Sequence, residues 1–276
     1  MCRWMAYSGS AIVLDEMLLK TEISLIDQSL SARRALEPTN GDGFGIGWYG
    51  RGKNPCLYRV IRPAWNDENL RDLAAEVESG LFMAHVRRST GTAVQRSNCH
   101  PFRYNNWMFV HNGAIAGFRQ LKRQLVMAID PALYPEIGGS TDSELMFFLA
   151  LTHGLEEDPF SALEAMAAIV ERIGADAGIP HPLQMSIGLS DGERLMAVRY
   201  SSENDSRTLF YSERIDALRE LYPSHPRLAA IPRDARAVVS EPLSDVSSAW
   251  IEVPESTALT VSAGEVDSRP FTPRLP

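Results

Sequence analysis

The chain is poor in cysteine: Cys2, Cys56 and Cys99 are the only three in 276 residues. Thiols so few and so scattered exclude a disulfide scaffold and lead us to expect a reducing compartment, the cytoplasm. No run of about 18 apolar residues occurs, which excludes a membrane-spanning helix. The opening MCRWMAYSGSAIVLDE lacks a basic segment followed by an apolar one, so no secretory leader is expected. Positive charge is also in deficit, with 27 Lys and Arg against 35 Asp and Glu and a net charge of −8. That balance argues against a nucleic-acid partner. There is neither an internal repeat nor a low-complexity block. What remains is a globular composition, 45% hydrophobic and 22% charged, long enough for an ample core and incompatible with wholesale disorder.

β-rich runs come early: Arg3 to Ser8, Phe44 to Tyr49, Cys56 to Ile61, Leu81 to Val86 and Trp107 to His111, bounded by Gly, Pro, Asn or Asp. Helical periodicity follows over Asn69 to Val77 and over Phe118 to Ile129, which Pro131 stops. Thr141-Asp142-Ser143-Glu144 reads as a capping box ahead of the apolar run Leu145 to Leu151. Ser161 to Ile173 reads as a further helix, ended by Gly174. Strands then return: Gln184 to Leu189 and Arg194 to Tyr200 flank the hairpin signal Asp191-Gly192, followed by Leu209 to Ser212, Ala237 to Ser240, Trp250 to Val253 and Ala258 to Ser262. Strands, then helices, then strands predict a layered α+β domain rather than a parallel βαβ protein. Residues 263–276 hold three prolines and are expected to form a loose tail.

Cys2 follows the initiator methionine. Removal of Met1 would place a thiol and an α-amine on one residue, and an α-amine with a pKa of roughly 7.7–8.0 is a general base at neutral pH. That is the arrangement of an N-terminal nucleophile. On position alone the plainer reading, an ordinary buried cysteine, is strongly favoured. Four downstream segments bear on the choice. Ala84-His85-Val86-Arg87-Arg88-Ser89-Thr90 ends an apolar strand with an arginine fork that suits a carboxylate, or with a plain surface arginine. Asn98-Cys99-His100-Pro101-Phe102 offers a histidine whose simplest role is to brace a loop. His111-Asn112-Gly113 offers a side-chain amide beside a glycine N–H, either a two-donor oxyanion hole or an Asn-Gly turn. Asp142, in the first turn of a predicted helix, is an anion for an amine or a favourable dipole placement. Taken together they supply a nucleophile with its own base, an oxyanion hole, a cation and an anion. A γ-glutamyl group, with its α-amino and α-carboxyl groups beyond a scissile carbonyl, has the matching layout.

Met1-Cys2-Arg3, Gly41-Asp42-Gly43-Phe44-Gly45, His85-Val86-Arg87-Arg88-Ser89-Thr90, Asn98-Cys99-His100-Pro101, His111-Asn112-Gly113 and Ser140-Thr141-Asp142-Ser143-Glu144 occur in the order found in class II glutamine amidotransferases. The chain resembles that family over about its first 150 residues, and Ser240-Glu241-Pro242-Leu243 extends the likeness. Within it the chain is most similar to the stand-alone branch, which holds the amidotransferase-like subunit of glutathione degradation and the γ-glutamyl amidohydrolase of the ergothioneine pathway. Arg88, where aminosugar-synthesising relatives commonly have an aromatic residue, favours that branch.

The resemblance implies an N-terminal-nucleophile fold, a four-layer αββα sandwich of two antiparallel sheets, with residues 2–262 as a single domain. It implies Cys2 as nucleophile, Asn112 and Gly113 as the oxyanion hole, Arg87 and Thr90 on the α-carboxylate, Asp142 on the α-ammonium, His100 as a brace of the site, and the Gly41 to Gly45 loop as a wall near the cysteine. Cys56 and Cys99 are expected to be structural thiols. Hydrolysis of a γ-glutamyl amide (glutamine, glutathione or a related compound) through a Cys2 thioester is the expected activity, alone or with a peptidase-like partner. The alternatives are an ammonia-supplying glutaminase subunit of a separate synthase and a catalytically silent γ-glutamyl-binding subunit. No cofactor is expected. Nor is a metal, since Cys99-His100, His85 and His111 match no tight ligand spacing. Neither Cys56 nor Cys99 carries the local signature of a papain-type nucleophile.

Overall fold

A computed structural model describes residues 2–30, 39–89, 91–222, 224, 228 and 231–276. The strands are β1 (Arg3–Val13), β2 (Phe44–Trp48), β3 (Cys56–Val60), β4 (Glu78–Val86), β5 (Phe102–Tyr104), β6 (Trp107–Ile115), β7 (Leu183–Ser190), β8 (Leu195–Ser201), β9 (Phe210–Ser212), β10 (Arg236–Val239), β11 (Trp250–Glu252), β12 (Thr257–Ser262) and β13 (Glu265–Pro270). Between them run α1 (Asp15–Leu18), α2 (Leu25–Leu30), α3 (Glu68–Glu76), α4 (Phe118–Met127), α5 (Asp142–Thr152), α6 (Pro159–Asp176) and α7 (Ile215–Leu221).

Among the described residues the strands form a seven-stranded sheet, β11-β9-β10-β1-β4-β2-β3, and a six-stranded sheet, β13-β12-β8-β7-β6-β5. The pairings within them are antiparallel, as in β1 with β4 and β6 with β7. Strand alternation sorts the side chains into layers. Trp4 and Ala6 of β1, Met83 of β4 and Met108 and Val110 of β6 meet in an apolar core between the sheets. Met5 and Tyr7 face the other way and pack under α1, α3 and α7. Phe109, Ile187 and Leu189 face α4, α5 and α6. The result is the expected α+β sandwich, helices on either side of two antiparallel sheets. No described helix is long and apolar enough to cross a membrane.

Helix α5 is apolar on nearly every side, with residues 145–150 all buried between its sheet and α6. That explains its apolar run without a polar face. Its Thr141 hydroxyl caps the Glu144 N–H at 3.2 Å, but the box is only half formed. The Glu144 carboxylate turns instead to the Gly138 and Gly139 N–H groups, at 3.0 and 2.7 Å.

Two further expectations are corrected. Gly174 does not end its helix, because α6 runs on to Asp176. A Cβ on Gly174 would lie 2.6 Å from the Pro182 ring, so close packing is what requires this glycine, and Gly178, with φ +76°, is where the chain turns. Residues 263–276 are no loose tail: β13 pairs with β12 over six residues, and Phe271 is 2% exposed. The prolines at 270 and 273 lie at and beyond the end of the strand, where they cost it no central ladder bond.

Candidate functional site

Cys2, half-buried, lies one residue before β1. The strand behind it is fixed along its length. The Arg3 side chain is fully buried and ion-paired with Glu241 at 2.8 Å. The Trp4 N–H donates to the Ser240 hydroxyl at 3.0 Å, and the Ser240 N–H donates to the Trp4 carbonyl at 3.0 Å. The Trp4 indole N–H reaches the Ser186 hydroxyl in the opposite sheet at 3.2 Å. The thiol itself lies against the Arg88 backbone: the Arg88 N–H donates to Sγ at 3.4 Å, and Sγ is 3.4 Å from the Arg88 carbonyl. Burial raises the thiol pKa, opposed by the Arg88 N–H and by the charge of Arg87, while Asp142 adds to the rise. Thus the charges of Arg87 and Asp142 both act on the Cys2 sulfur.

Asn112 and Gly113 lie in β6, in register with Ser186 and Met185 of β7. Alternation puts Asn112 on the inter-sheet face with Met108 and Val110, beside the serine that holds Trp4. Gly113 has φ +153°, and a Cβ there would stand 2.0 Å from the Gln184 carbonyl oxygen and 2.6 Å from His111 Nε2. No side chain fits. His111-Asn112-Gly113 is therefore strand rather than turn, which removes the simpler reading of the dipeptide.

Arg87, just past β4, is 3% exposed. Its guanidinium donates to the Thr92 hydroxyl at 2.8 Å, the Ala93 carbonyl at 3.2 Å, the Ser89 hydroxyl at 3.3 Å and the Asp42 carbonyl at 3.4 Å. The backbone is held too, Arg87 N–H to the Gly43 carbonyl at 2.8 Å and Asp42 N–H to the Arg87 carbonyl at 3.0 Å, while the Asp42 carboxylate accepts from the Ser89 N–H at 2.8 Å. The Gly41 to Gly45 loop thus positions the arginine segment. Gly43 in particular has φ +117° and room for no Cβ, which would fall 2.7 Å from Cys99 Sγ. Asp142 accepts from the Ile115 N–H at 2.9 Å and from the Ser143 N–H at 2.9 Å. Among the described residues no carboxylate ion-pairs with Arg87 and no cation with Asp142. A cavity of about 710 Å³ is lined in part by Ile115, Gly117, Phe118 and Thr92; Arg87 and Asp142 do not line it, but each bonds to a residue that does, Thr92 and Ile115. Thr90, the expected second carboxylate ligand, lies outside the described residues.

His100 stacks on His85 with ring centroids 4.1 Å apart and meets Phe102 edge-on at 4.5 Å. A Cβ on Gly45 would lie 2.1 Å from the His100 carbonyl oxygen, so the second glycine of Gly43-Phe44-Gly45 lets that loop press against β2. His111 Nδ1 lies 2.8 Å from the Ser143 hydroxyl. Burial lowers all three histidine pKa values. That of His85 falls to about 3, with Arg87 adding to the drop, and that of His100 falls well below the usual range. For His111 the neighbouring Asp142 offsets part of the fall. Burial thus favours the neutral form of all three imidazoles. Among the described residues no cluster of three or more His, Cys, Asp or Glu is arranged to hold a metal ion. The three cysteines are free thiols. Cys99 is buried beneath Gly43, whereas Cys56 is exposed.

The arrangement offers a cation, Arg87, and an anion, Asp142, neither of them ion-paired among the described residues, and a thiol on which both charges act. Reading the sequence by itself left two contributors without a role, Asn98, which bonds to Ser140, and the Arg3–Glu241 pair, and gave Glu144 a cap role in place of its hold on the 138–139 backbone. Only their presence inside the quoted motifs pointed to them.

Comparison with known proteins yields one family model, described as class-II glutamine amidotransferases, that matches residues 16–273. The chain is 33% identical to the probable glutamine amidotransferase DUG3 of Saccharomyces cerevisiae, over 95% of this chain and 82% of that one. It is 27% identical to the γ-glutamyl-hercynylcysteine sulfoxide hydrolase of Mycolicibacterium smegmatis, over 87% of this chain and 99% of that one. Among solved structures, a glutamine aminotransferase class-II domain protein from Silicibacter pomeroyi superposes with a TM-score of 0.75 at 34% identity, covering 99% of this chain and all of that one. The glutamine phosphoribosylpyrophosphate amidotransferase of B. subtilis shares the fold, with a TM-score of 0.66 at 18% identity over 99% of this chain and 50% of that one.

Proposed function

Because this chain belongs to the class II glutamine amidotransferase family, we propose that it hydrolyses a γ-glutamyl amide bond through a thioester on Cys2. The observation that carries the proposal is the pair of buried or half-buried charges without counter-charge. Arg87 is 3% exposed with only neutral oxygens as partners, and Asp142 holds only N–H and O–H donors. Burying a charge is costly unless an opposite charge meets it. A ligand with one carboxylate and one ammonium on a single carbon supplies both. Its γ-carbonyl then lies a short chain away, and Cys2 is the nucleophile on which both charges act.

With Met1 removed, the Cys2 α-amine takes the thiol proton. The thiolate adds to the γ-carbonyl carbon, and the new oxyanion accepts from Asn112 Nδ2 and the Gly113 N–H. The amine, now an ammonium, gives its proton to the leaving nitrogen as the C–N bond breaks. Water, deprotonated by the same amine, then attacks the thioester and releases glutamate and the free thiol. Thr90 assists Arg87 on the α-carboxylate in this scheme, and His100 braces the wall behind. The catalytic unit is a single domain that includes the β12–β13 hairpin. It works in the cytoplasm on small γ-glutamyl compounds, alone or beside a peptidase-like subunit. Support for hydrolysis rather than ammonia transfer comes from the likeness, over 87% of the chain, to a γ-glutamyl hydrolase.

The test is ammonia or amine release from glutamine, glutathione and other γ-glutamyl amides by wild-type protein and by Cys2→Ala. Release by the wild type and none by the variant is expected. Undiminished release by Cys2→Ala overturns the nucleophile assignment, and release that needs a synthase subunit overturns the hydrolase reading.

A further inference from the structure

We propose that Asn98 is a positioning residue that ties the two ends of the glutamyl clamp into one rigid unit, a role that rests on the γ-glutamyl reading of the site. Asn98 is fully buried. Its Oδ1 accepts from the Ser140 N–H at 2.8 Å and from Gln95 Nε2 at 3.2 Å. Its Nδ2 donates to the Ala93 carbonyl at 2.8 Å and to the Ser140 hydroxyl at 3.1 Å. Backbone partners leave no choice about the amide's orientation, because an N–H can only donate and a carbonyl can only accept.

Both contacts lead to the clamp. The Ala93 carbonyl that receives Asn98 Nδ2 also receives the Arg87 guanidinium at 3.2 Å. Ser140 stands two residues before Asp142, ahead of the Thr141 cap that starts α5. The side chain therefore spans from the loop that holds the cation to the loop that carries the anion, groups that sequence separates by 42 positions at the Asn98–Ser140 bond. Glu144 completes the brace from the other side, gripping the Gly138 and Gly139 N–H groups. The segment between them has no slack: a Cβ on Gly139 would fall 2.5 Å from Asn98 Oδ1 and 2.8 Å from the Glu144 carboxylate. A carboxylate and an ammonium on the same carbon are a fixed distance apart, so a clamp that reads both must hold its own two charges at a fixed spacing. Asn98 is the side chain that sets that spacing directly.

Two amide variants separate this role from general support. Asn98→Ala loses both ties. Asn98→Asp keeps an acceptor for the Ser140 N–H but presents no donor to the Ala93 carbonyl. Kinetics are measured with glutamine, with glutaramate, which lacks the α-amine, and with 4-aminobutanamide, which lacks the α-carboxylate. Asn98→Ala is expected to raise KM for glutamine about tenfold, the scale of one buried hydrogen bond, with kcat within about threefold of wild type. It is expected to lose discrimination against both truncated substrates. Asn98→Asp is expected to keep discrimination against glutaramate and to lose it against 4-aminobutanamide. Ser140→Ala, which removes only the hydroxyl from the tie, gives a smaller KM rise of the same kind and serves if the amide variants fail to fold. Folded variants with wild-type KM and discrimination overturn the proposal, as does a uniform fall in kcat with all three substrates. If the wild type itself accepts glutaramate as readily as glutamine, the γ-glutamyl reading falls, and this inference with it.

Discussion

The two ends of the site are built on opposite electrostatic plans. At the end proposed to take the α-groups of a substrate stand two full charges, the buried Arg87 and the half-buried Asp142, supported only by neutral oxygens, hydroxyls and backbone N–H groups. Around the proposed nucleophile, burial favours the neutral forms of the thiol and of three histidines. Burial raises the Cys2 thiol pKa and lowers those of His85, His100 and His111. The contrast shows how such a site divides its labour. Fixed charge serves recognition, because the ligand brings the counter-charge. At the proposed reacting centre the oxyanion would meet aligned dipoles, those of Asn112 Nδ2 and the Gly113 N–H.

Four experiments press on that division. The largest effect belongs to the nucleophile: Cys2→Ala should lower kcat at least about 10³-fold while leaving the affinity for glutamate nearly unchanged, measured by product release and by calorimetric binding. Asn112→Ala should cost about 10²–10³ in kcat with little change in KM, the signature of a donor used only in the transition state. At the other end, Arg87→Met should act mainly on KM, raising it roughly 30-fold or more, because an unpaired buried charge partner costs about 2 kcal/mol or more. A fall in kcat at Arg87 equal to that at Asn112 would erase the distinction between the ends.

The smallest effect tests neutrality itself. His85 has a pKa of about 3 in the folded protein against an ordinary value near 6.5, so the unfolded chain binds its proton first as pH falls. Stability should be full above pH 6.5 and decline toward pH 3. Each buried histidine contributes at most about 1.4 kcal/mol per pH unit. Urea unfolding between pH 7 and 4.5 should show a decline steeper than one proton explains, since His100 and His111 shift in the same direction. A flat profile would mean that these groups are not neutral in the folded state.

Much of this was legible in the residues because the signals are local. The Asp191-Gly192 hairpin, the β-rich runs and the Thr141 cap each announce themselves within a few positions. Helices α1, α2 and α7, of four, six and seven residues, are too short to display a periodic face and went unread. Gly174 misled because a glycine demanded by a neighbouring ring looks the same in sequence as one demanded by a turn. In the site, the clamp residues could be picked from motif order. The contacts that hold them in place are long-range: Asn98 meets Ser140 across 42 positions, and Trp4 meets Ser240 across 236. No spacing rule reaches that far, so the supporting network was visible only in the fold.

Gly113 carries a last consequence, and it is evolutionary. Its N–H is a main-chain atom, so no substitution except proline can delete the donor directly. A side chain at this position would be driven into the Gln184 carbonyl 2.0 Å away and would break the β6–β7 ladder that supports the whole six-stranded sheet. Selection for folding therefore preserves this glycine whether or not the chain still performs chemistry. A descendant that had lost catalysis would keep Gly113 and show its drift at Cys2 and Asn112, where a change of side chain leaves the ladder intact. Gly113 is thus required by the fold, whereas the proposed roles of Cys2 and Asn112 rest on chemistry.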